Sequence, residues 1–211
     1  MWPFRKKRKD EQAQPVAVAG DAELTDVAES PVAVRGSGPW DSSEVPIGER
    51  LDAGSLWLPV VPGASLQFTL DRLRQQVLGV VYGKNGSALQ LQAFAAPRSA
   101  QLWDEIRRDI RTSIAQQGGY SQEVEGPLGF ELQAQMPVPN SKTLAPHRFL
   151  GIDGPRWLLR VTLYGKAGSD EAAANELIEI VRDIVVNRGH DPHPPRELLP
   201  LEIPEQATQQ G

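Results

Sequence analysis

Between Leu51 and Gly165 the chain is cut into short runs of β-branched, aromatic and aliphatic residues, and only two stretches of the sequence carry a helical period. That distribution limits the possible folds more than any other feature. SLWLPVV (55–61), SLQFTLD (65–71), QVLGVVYG (76–83) and ALQLQAFA (88–95) are separated by turn sequences such as PGA and GKNGS, which marks them as strands. In ALQLQAFA, Leu alternates with Gln, the period of a half-buried strand. A four-strand meander is expected. SAQLWDEIRRDIRTSIAQQGG (99–119) then places Leu102, Ile106, Ile110 and Ile114 at spacings of four, with Ser99 as N-cap and Gly118 as the stop, and predicts a helix.

YSQEVEG, GFELQAQMPV, RFLGIDG and RWLLRVTLYG read as further strands. SDEAAANELIEIVRDIVVNRG (169–189) reads as a second helix, capped by Ser169 and carried to Arg188, with a stripe of Leu177, Ile180, Val181, Ile184 and Val185. Strand runs broken by single helices, without βαβ alternation, predict an α+β fold. The expected architecture is a single-domain sandwich with a mostly antiparallel sheet of seven to eight strands. Both helices are expected on one face. Trp57, Trp103 and Trp157 are expected in or beside the core, and Trp2 in solvent.

The ends differ from the body in composition. Residues 1–9 carry a charge of +5, residues 10–49 carry −8, residues 50–190 carry +1 and residues 191–211 carry −3. From Asp10 to Glu49 neither period is sustained, so too little apolar surface is available to offset the entropy of ordering. The reading is a disordered basic tip and acidic linker over 1–44, an α+β domain over 45–190, and a disordered, Pro-rich tail over 191–211, with Trp40 and Ile47 the first residues to touch the core. A nearly neutral body argues against a broad basic nucleic-acid face.

Absence of cysteine excludes disulfides, thiolate metal sites and cysteine nucleophiles. Apolar runs broken by Pro fall short of the roughly 20 residues a membrane helix needs, and no transmembrane segment is expected. The basic run at the start is followed by acidic, mixed sequence rather than an apolar core, so no secretory signal is read. A cytoplasmic location is expected, with peripheral contact to the inner face of the membrane as an option left open by the tip.

Chemical motifs are sparse. Gly79-Val80-Val81-Tyr82-Gly83-Lys84-Asn85 is too short between its glycines for a phosphate loop and has Asn where Ser or Thr would bind magnesium, so it reads as a hairpin turn. His190, Asp191 and His193 are close in sequence but lie in a Pro-rich segment without supporting residues, and His147 reads as a surface or capping residue. Glu123, Glu125 and Glu131 alternate with apolar residues and are expected on a solvated sheet face. No nucleophile elbow, metalloprotease helix or dinucleotide fingerprint occurs, so no catalytic residue, cofactor or metal is implied.

Two cationic groups remain. Arg107, Arg108 and Arg111 on the first helix form a candidate anion site, opposed by the bland reading of pairing with Asp104 and Asp109. Arg5, Lys6, Lys7, Arg8 and Lys9, beside Trp2 and Phe4, have the composition of a weak contact to anionic membrane or nucleic acid, opposed by neutralisation on the acidic linker. YGKNGS (82–87) and YGKAGS (164–169) echo one another, which either a duplication or shared turn chemistry would produce.

The short basic N-terminus, the acidic linker, GPWD (38–41), RLDAGSLWLPV (50–60) and LYGKAG (163–168) together resemble an actinobacterial family known as domain of unknown function 3710, over roughly residues 37–200. The resemblance implies a bacterial protein without an assigned activity or site residues. The functional expectation is a non-catalytic interaction or adaptor module with an unknown protein partner. A small ligand-binding protein or hydrolase, and a weak, sequence-nonspecific nucleic-acid-associated protein, are the alternatives.

Overall fold

A computed structural model describes residues 37–71, 73, 75–98 and 101–204. Ser99, Trp2 and the Arg5–Lys9 run lie outside them. In chain order the elements are β1 (Trp40–Asp41), β2 (Leu51–Asp52), β3 (Leu56–Leu58), β4 (Ser65–Asp71), β5 (Gln76–Lys84), β6 (Ser87–Ala95), α1 (Trp103–Gln116), β7 (Tyr120–Gly126), β8 (Gly129–Pro137), β9 (Leu144–Gly154), β10 (Trp157–Gly165), α2 (Glu171–Asp183) and β11 (Val185–Val186). Seven strands form one antiparallel sheet in the order β4-β5-β6-β10-β9-β8-β7, and four short strands form a second in the order β1-β11-β3-β2. The α+β sandwich expected from the sequence is the observed class.

Alternation decides which side of the large sheet each residue faces. Leu89, Leu91 and Ala93 of β6 and Leu159, Val161 and Leu163 of β10 face one side, where they share a core with Leu177, Ile178 and Val181 of α2 and with Leu56 and Leu58 of β3. Each such side chain, fully withdrawn from water, stabilises by about 1.5–3 kcal/mol. Phe94, Leu158 and Phe149 face the other side and pack with Trp103, Ile106 and Ile110 of α1. The two helices therefore lie on opposite faces, which corrects the one-face expectation. Each amphipathic stripe takes a separate surface because the large sheet offers an apolar patch on both sides, Leu159 and Val161 on one and Phe94, Leu158 and Phe149 on the other.

The first predicted strand also changes place. Instead of opening a four-strand meander, LWL (56–58) pairs with β2 and with β11 in the small sheet. β11 exists because α2 stops early: Ile184 turns to φ −68°, ψ 140°, and Val185 and Val186 pair with Trp57 and Leu56 rather than extending the helix to Arg188. The cap of α2 is Asp170, whose carboxylate accepts from the Ala173 N–H at 2.8 Å, not Ser169. α1 also opens later than expected, with Leu102 in the N-cap position. The helix starts at Trp103, and Asp153 beside it accepts from the Leu102 N–H at 2.8 Å and the Trp103 N–H at 3.2 Å.

The body reaches past both expected domain limits. Trp40 and Asp41, assigned by composition to the linker, pair with Val185 and Val186. After Pro192 the chain makes a turn, closed by the Glu197 N–H on the Pro194 carbonyl, and is then laid down along the end of β6 that β5 does not pair. There Ala95 N–H donates to Glu197 and Leu199 N–H donates to Ala93, at 2.8 and 2.9 Å, with Leu199 fully buried.

The two echoed hexapeptides meet in space. Asn85 and Gly86, at φ 52° and 75°, make the two-residue β5–β6 turn, and Gly165 at the end of β10 pairs with Ser87. A two-fold axis relating β4-β5-β6 to β8-β9-β10 would leave both helices on one face. Their opposite placement leaves shared turn chemistry as the account of the echo.

Candidate functional site

α1 packs over β7, β8 and β9 and leaves part of β6 and β10 uncovered beside it. The strand RWLLRVTLYG alternates there in a telling way. Leu159, Val161 and Leu163 turn into the α2 core, so Arg160, Thr162 and Tyr164 are obliged to face the α1 side. From β9 come His147 and Phe149, from β6 Gln90, from β8 Met136, and from α1 Ile110. Together these residues line an open groove of about 370 Å³, within the range of small-ligand sites.

Ile110, Met136 and Phe149 make its apolar floor. The His147 ring stacks with Phe149 and with Tyr164, with centroids 6.1 and 5.7 Å away. Its Nδ1 lies 3.1 Å from the Ala145 carbonyl oxygen, which can only accept, so Nδ1 carries the proton and Nε2 is the free acceptor of the neutral ring. Tyr164 and His147 meet ring to ring rather than hydroxyl to nitrogen.

Arg160 is the distinctive member. Its guanidinium lies 5.2 Å over the Phe94 ring and donates through Nη2 to the neutral amide oxygen of Gln92. The Nε atom is buried without a hydrogen-bond partner, and among the described residues no carboxylate pairs with the side chain. Desolvation accordingly lowers its pKa from the ordinary arginine value. A charge in this position has no counter-charge among the described residues. Among the polar groups lining the groove it is the natural docking point for an anion.

The other basic residues differ. Arg107 is buried between Asp104 at 2.9 Å and Glu123 at 3.4 Å, and Arg111 reaches the same Glu123 at 3.5 Å. Arg108 instead donates from Nε to the Asp104 carbonyl oxygen at 3.1 Å. The structure thus brings two of the three predicted arginines onto one carboxylate and turns the third away.

Glu123 and Glu125 are exposed, as expected, but Glu131 is not. The β7–β8 register sets Glu131 against Val124 and so on the opposite face, where it is fully buried. Arg148 on β9 approaches its Oε1 through Nε at 2.9 Å and Nη2 at 2.7 Å, and extends Nη1 to Glu171 on α2 at 3.0 Å. The solvated-face expectation fails for this residue because Arg148 supplies a buried partner one strand away.

Lys84 and Asn85 of the glycine-flanked turn both reach Glu176 of α2, at 3.0 and 3.3 Å, so that turn anchors the helix. His193 lies 3.1 Å from Glu197, and among the described residues no three His, Asp or Glu side chains gather in a metal-binding group. No helix among them is long and apolar enough to cross a membrane.

The groove was legible only in part. RVTLY announces a charged residue inside an otherwise apolar strand, a signal for Arg160, but nothing local shows that β6, β8, β9 and α1 converge beside it. Comparison with curated proteins and with solved structures gives no match. The family described as Protein of unknown function (DUF3710) matches residues 38–210, a span that takes in every described element and the whole groove, and the chain belongs to that family.

Proposed function

We propose that the protein is a non-catalytic binding module whose binding face is the groove beside α1. The observation that carries this reading is Arg160, a largely desolvated guanidinium that pairs with no carboxylate among the described residues, at the rim of an apolar floor. The other buried arginines are matched, Arg148 and Arg107 by carboxylates and Arg188 by two backbone carbonyl oxygens, whereas Arg160 has the amide oxygen of Gln92. Beside it, the His147 ring is held by stacking with Phe149 and Tyr164. The arrangement supports recognition rather than turnover.

The test offers the full chain p-nitrophenyl acetate and p-nitrophenyl phosphate alongside a thermal-shift panel of small anions. Stabilisation by anions without hydrolysis of either ester is the expected result. Turnover that disappears in His147→Ala would make the protein a hydrolase and end this reading.

The basic tip supports a second, separate contact. Its +5 is the strongest positive charge density of the chain, and the body from residue 50 to 190 sums to only +1. Attachment to anionic surfaces is assigned to the tip and not to the groove.

A further inference from the structure

We infer that the groove takes a small monocarboxylate with an apolar body, its carboxylate on Arg160 and its body on Ile110, Met136 and Phe149. The inference rests on the groove being a binding face and adds the chemical class of the ligand. Three observations select that class.

Charge comes first. Arg160 is the one permanent cation among the described residues lining the groove, so a monoanion neutralises it, whereas a phosphate dianion would leave one negative charge unmatched. Polarity comes second. Thr162 and Gln90, cross-strand neighbours in the β10–β6 register, add a hydroxyl and an amide on the same wall, enough to complete the hydrogen bonds of two carboxylate oxygens. Shape comes third. A groove of about 370 Å³ with an aliphatic, thioether and phenyl floor suits a chain or ring of modest size, and Met136 adapts to either.

Calorimetric titration of the full chain at pH 8 tests this with benzoate, octanoate, benzamide and phenyl phosphate. Benzoate and octanoate should bind, octanoate more tightly, with benzamide weaker by about tenfold or more, the size of one charge-assisted pair. Arg160→Met should abolish carboxylate binding. Because that variant also loses the contact with Phe94, Gln90→Glu serves as the second: it keeps side-chain size and installs a competing carboxylate in the groove, opposite Thr162, and should weaken octanoate about tenfold while the melting temperature holds.

Equal binding of benzoate and benzamide overturns the inference, as does tighter binding of phenyl phosphate, unchanged affinity in both variants, or no binding of any probe. A peptide with a free C-terminus binding better than octanoate would assign the groove to a protein terminus and overturn the small-molecule ligand. None of these results is ester turnover, which alone overturns the non-catalytic reading.

Discussion

The indole Nε1 of Trp157 donates to Oδ2 of Asp41 at 2.7 Å, joining the first residue of β10 to a residue 116 positions earlier. Trp157 is fully buried and Asp41 nearly so. Asp41 also accepts from the Ser43 N–H at 3.0 Å, so one carboxylate fixes both the GPWD turn and the corner of the large sheet. Asp41→Ala should destabilise by about 2–3 kcal/mol, since it removes the acceptor of a buried N–H, and Asp41→Asn by less because an oxygen acceptor remains. Urea denaturation would measure both. By the same reasoning, a chain starting at Val45 should melt below one starting at Ser37, and equal melting would show that β1 contributes nothing.

Trp103 and Gly151 form a matched pair. A Cβ at Gly151 would fall 2.2 Å from the indole ring, and the indole N–H donates to the Phe130 carbonyl at 2.6 Å. Trp103→Ala should cost about 3–5 kcal/mol, and Gly151→Ala should be destabilising in the wild type through overlap with the ring. Combined, the two should cost less than the sum of the singles, because removal of the ring makes room for the methyl. Strict additivity would mean that Gly151 serves some purpose other than seating Trp103.

Breaking the Glu131–Arg148 pair should be worse than replacing it. Arg148→Met leaves a fully buried carboxylate uncompensated, and a loss of about 3–5 kcal/mol is expected. Glu131→Leu with Arg148→Met should recover much of that loss. Denaturation midpoints of the three variants would decide, and a double variant weaker than Arg148→Met would assign the pair a net stabilising role.

Tyr82 sets a pH limit on stability. Burial, with the carboxylate of Asp183 adding to it, raises its phenol well above the ordinary tyrosine range, and its hydroxyl donates to the Pro59 carbonyl at 2.9 Å. The folded state holds this proton where the unfolded chain, with a pKa of about 10, releases it. Its contribution is therefore fully present below pH 10 and is lost as pH rises above that value. Tyr82→Phe should be less stable at pH 7 by about 1–2 kcal/mol, with Pro59 left unpaired, and should show a smaller decline between pH 10 and 11. Ultraviolet titration of the phenol in folded protein gives the independent check.

The Arg5–Lys9 tip should bind anionic surfaces on its own account. With roughly 1 kcal/mol per basic residue at low salt, full-length protein should cosediment with phosphatidylserine vesicles at 0.01 M ionic strength and release near 0.15 M, as the Debye length shortens from about 30 to about 8 Å. A chain beginning at Asp10 should not bind. Equal binding by both chains, or by neither, would leave the tip a solvated segment, and preference for DNA over vesicles would identify nucleic acid as the surface.

Local chemistry determined much of this protein. Alternation in ALQLQAFA and RWLLRVTLYG, the Asn85–Gly86 turn and the four-residue spacing from Leu102 to Ile114 are instructions read within a few residues, and each produced its element. The strands of the antiparallel sheet were legible for the same reason. Other decisions were made at a distance. Val185 and Val186 have apolar side chains that suit a helix stripe as well as a strand, and they became β11 because Trp57 and Trp40 offered backbone partners. Glu131 looks solvated in its own strand and is buried because Arg148 arrives from the next one. The groove belongs to this second class: Arg160 is conspicuous in sequence, but its isolation from every described carboxylate, and the floor beside it, arise only when β6, β8, β9, β10 and α1 pack together. Periodicity specifies which way a side chain faces, and tertiary packing alone specifies what it meets there.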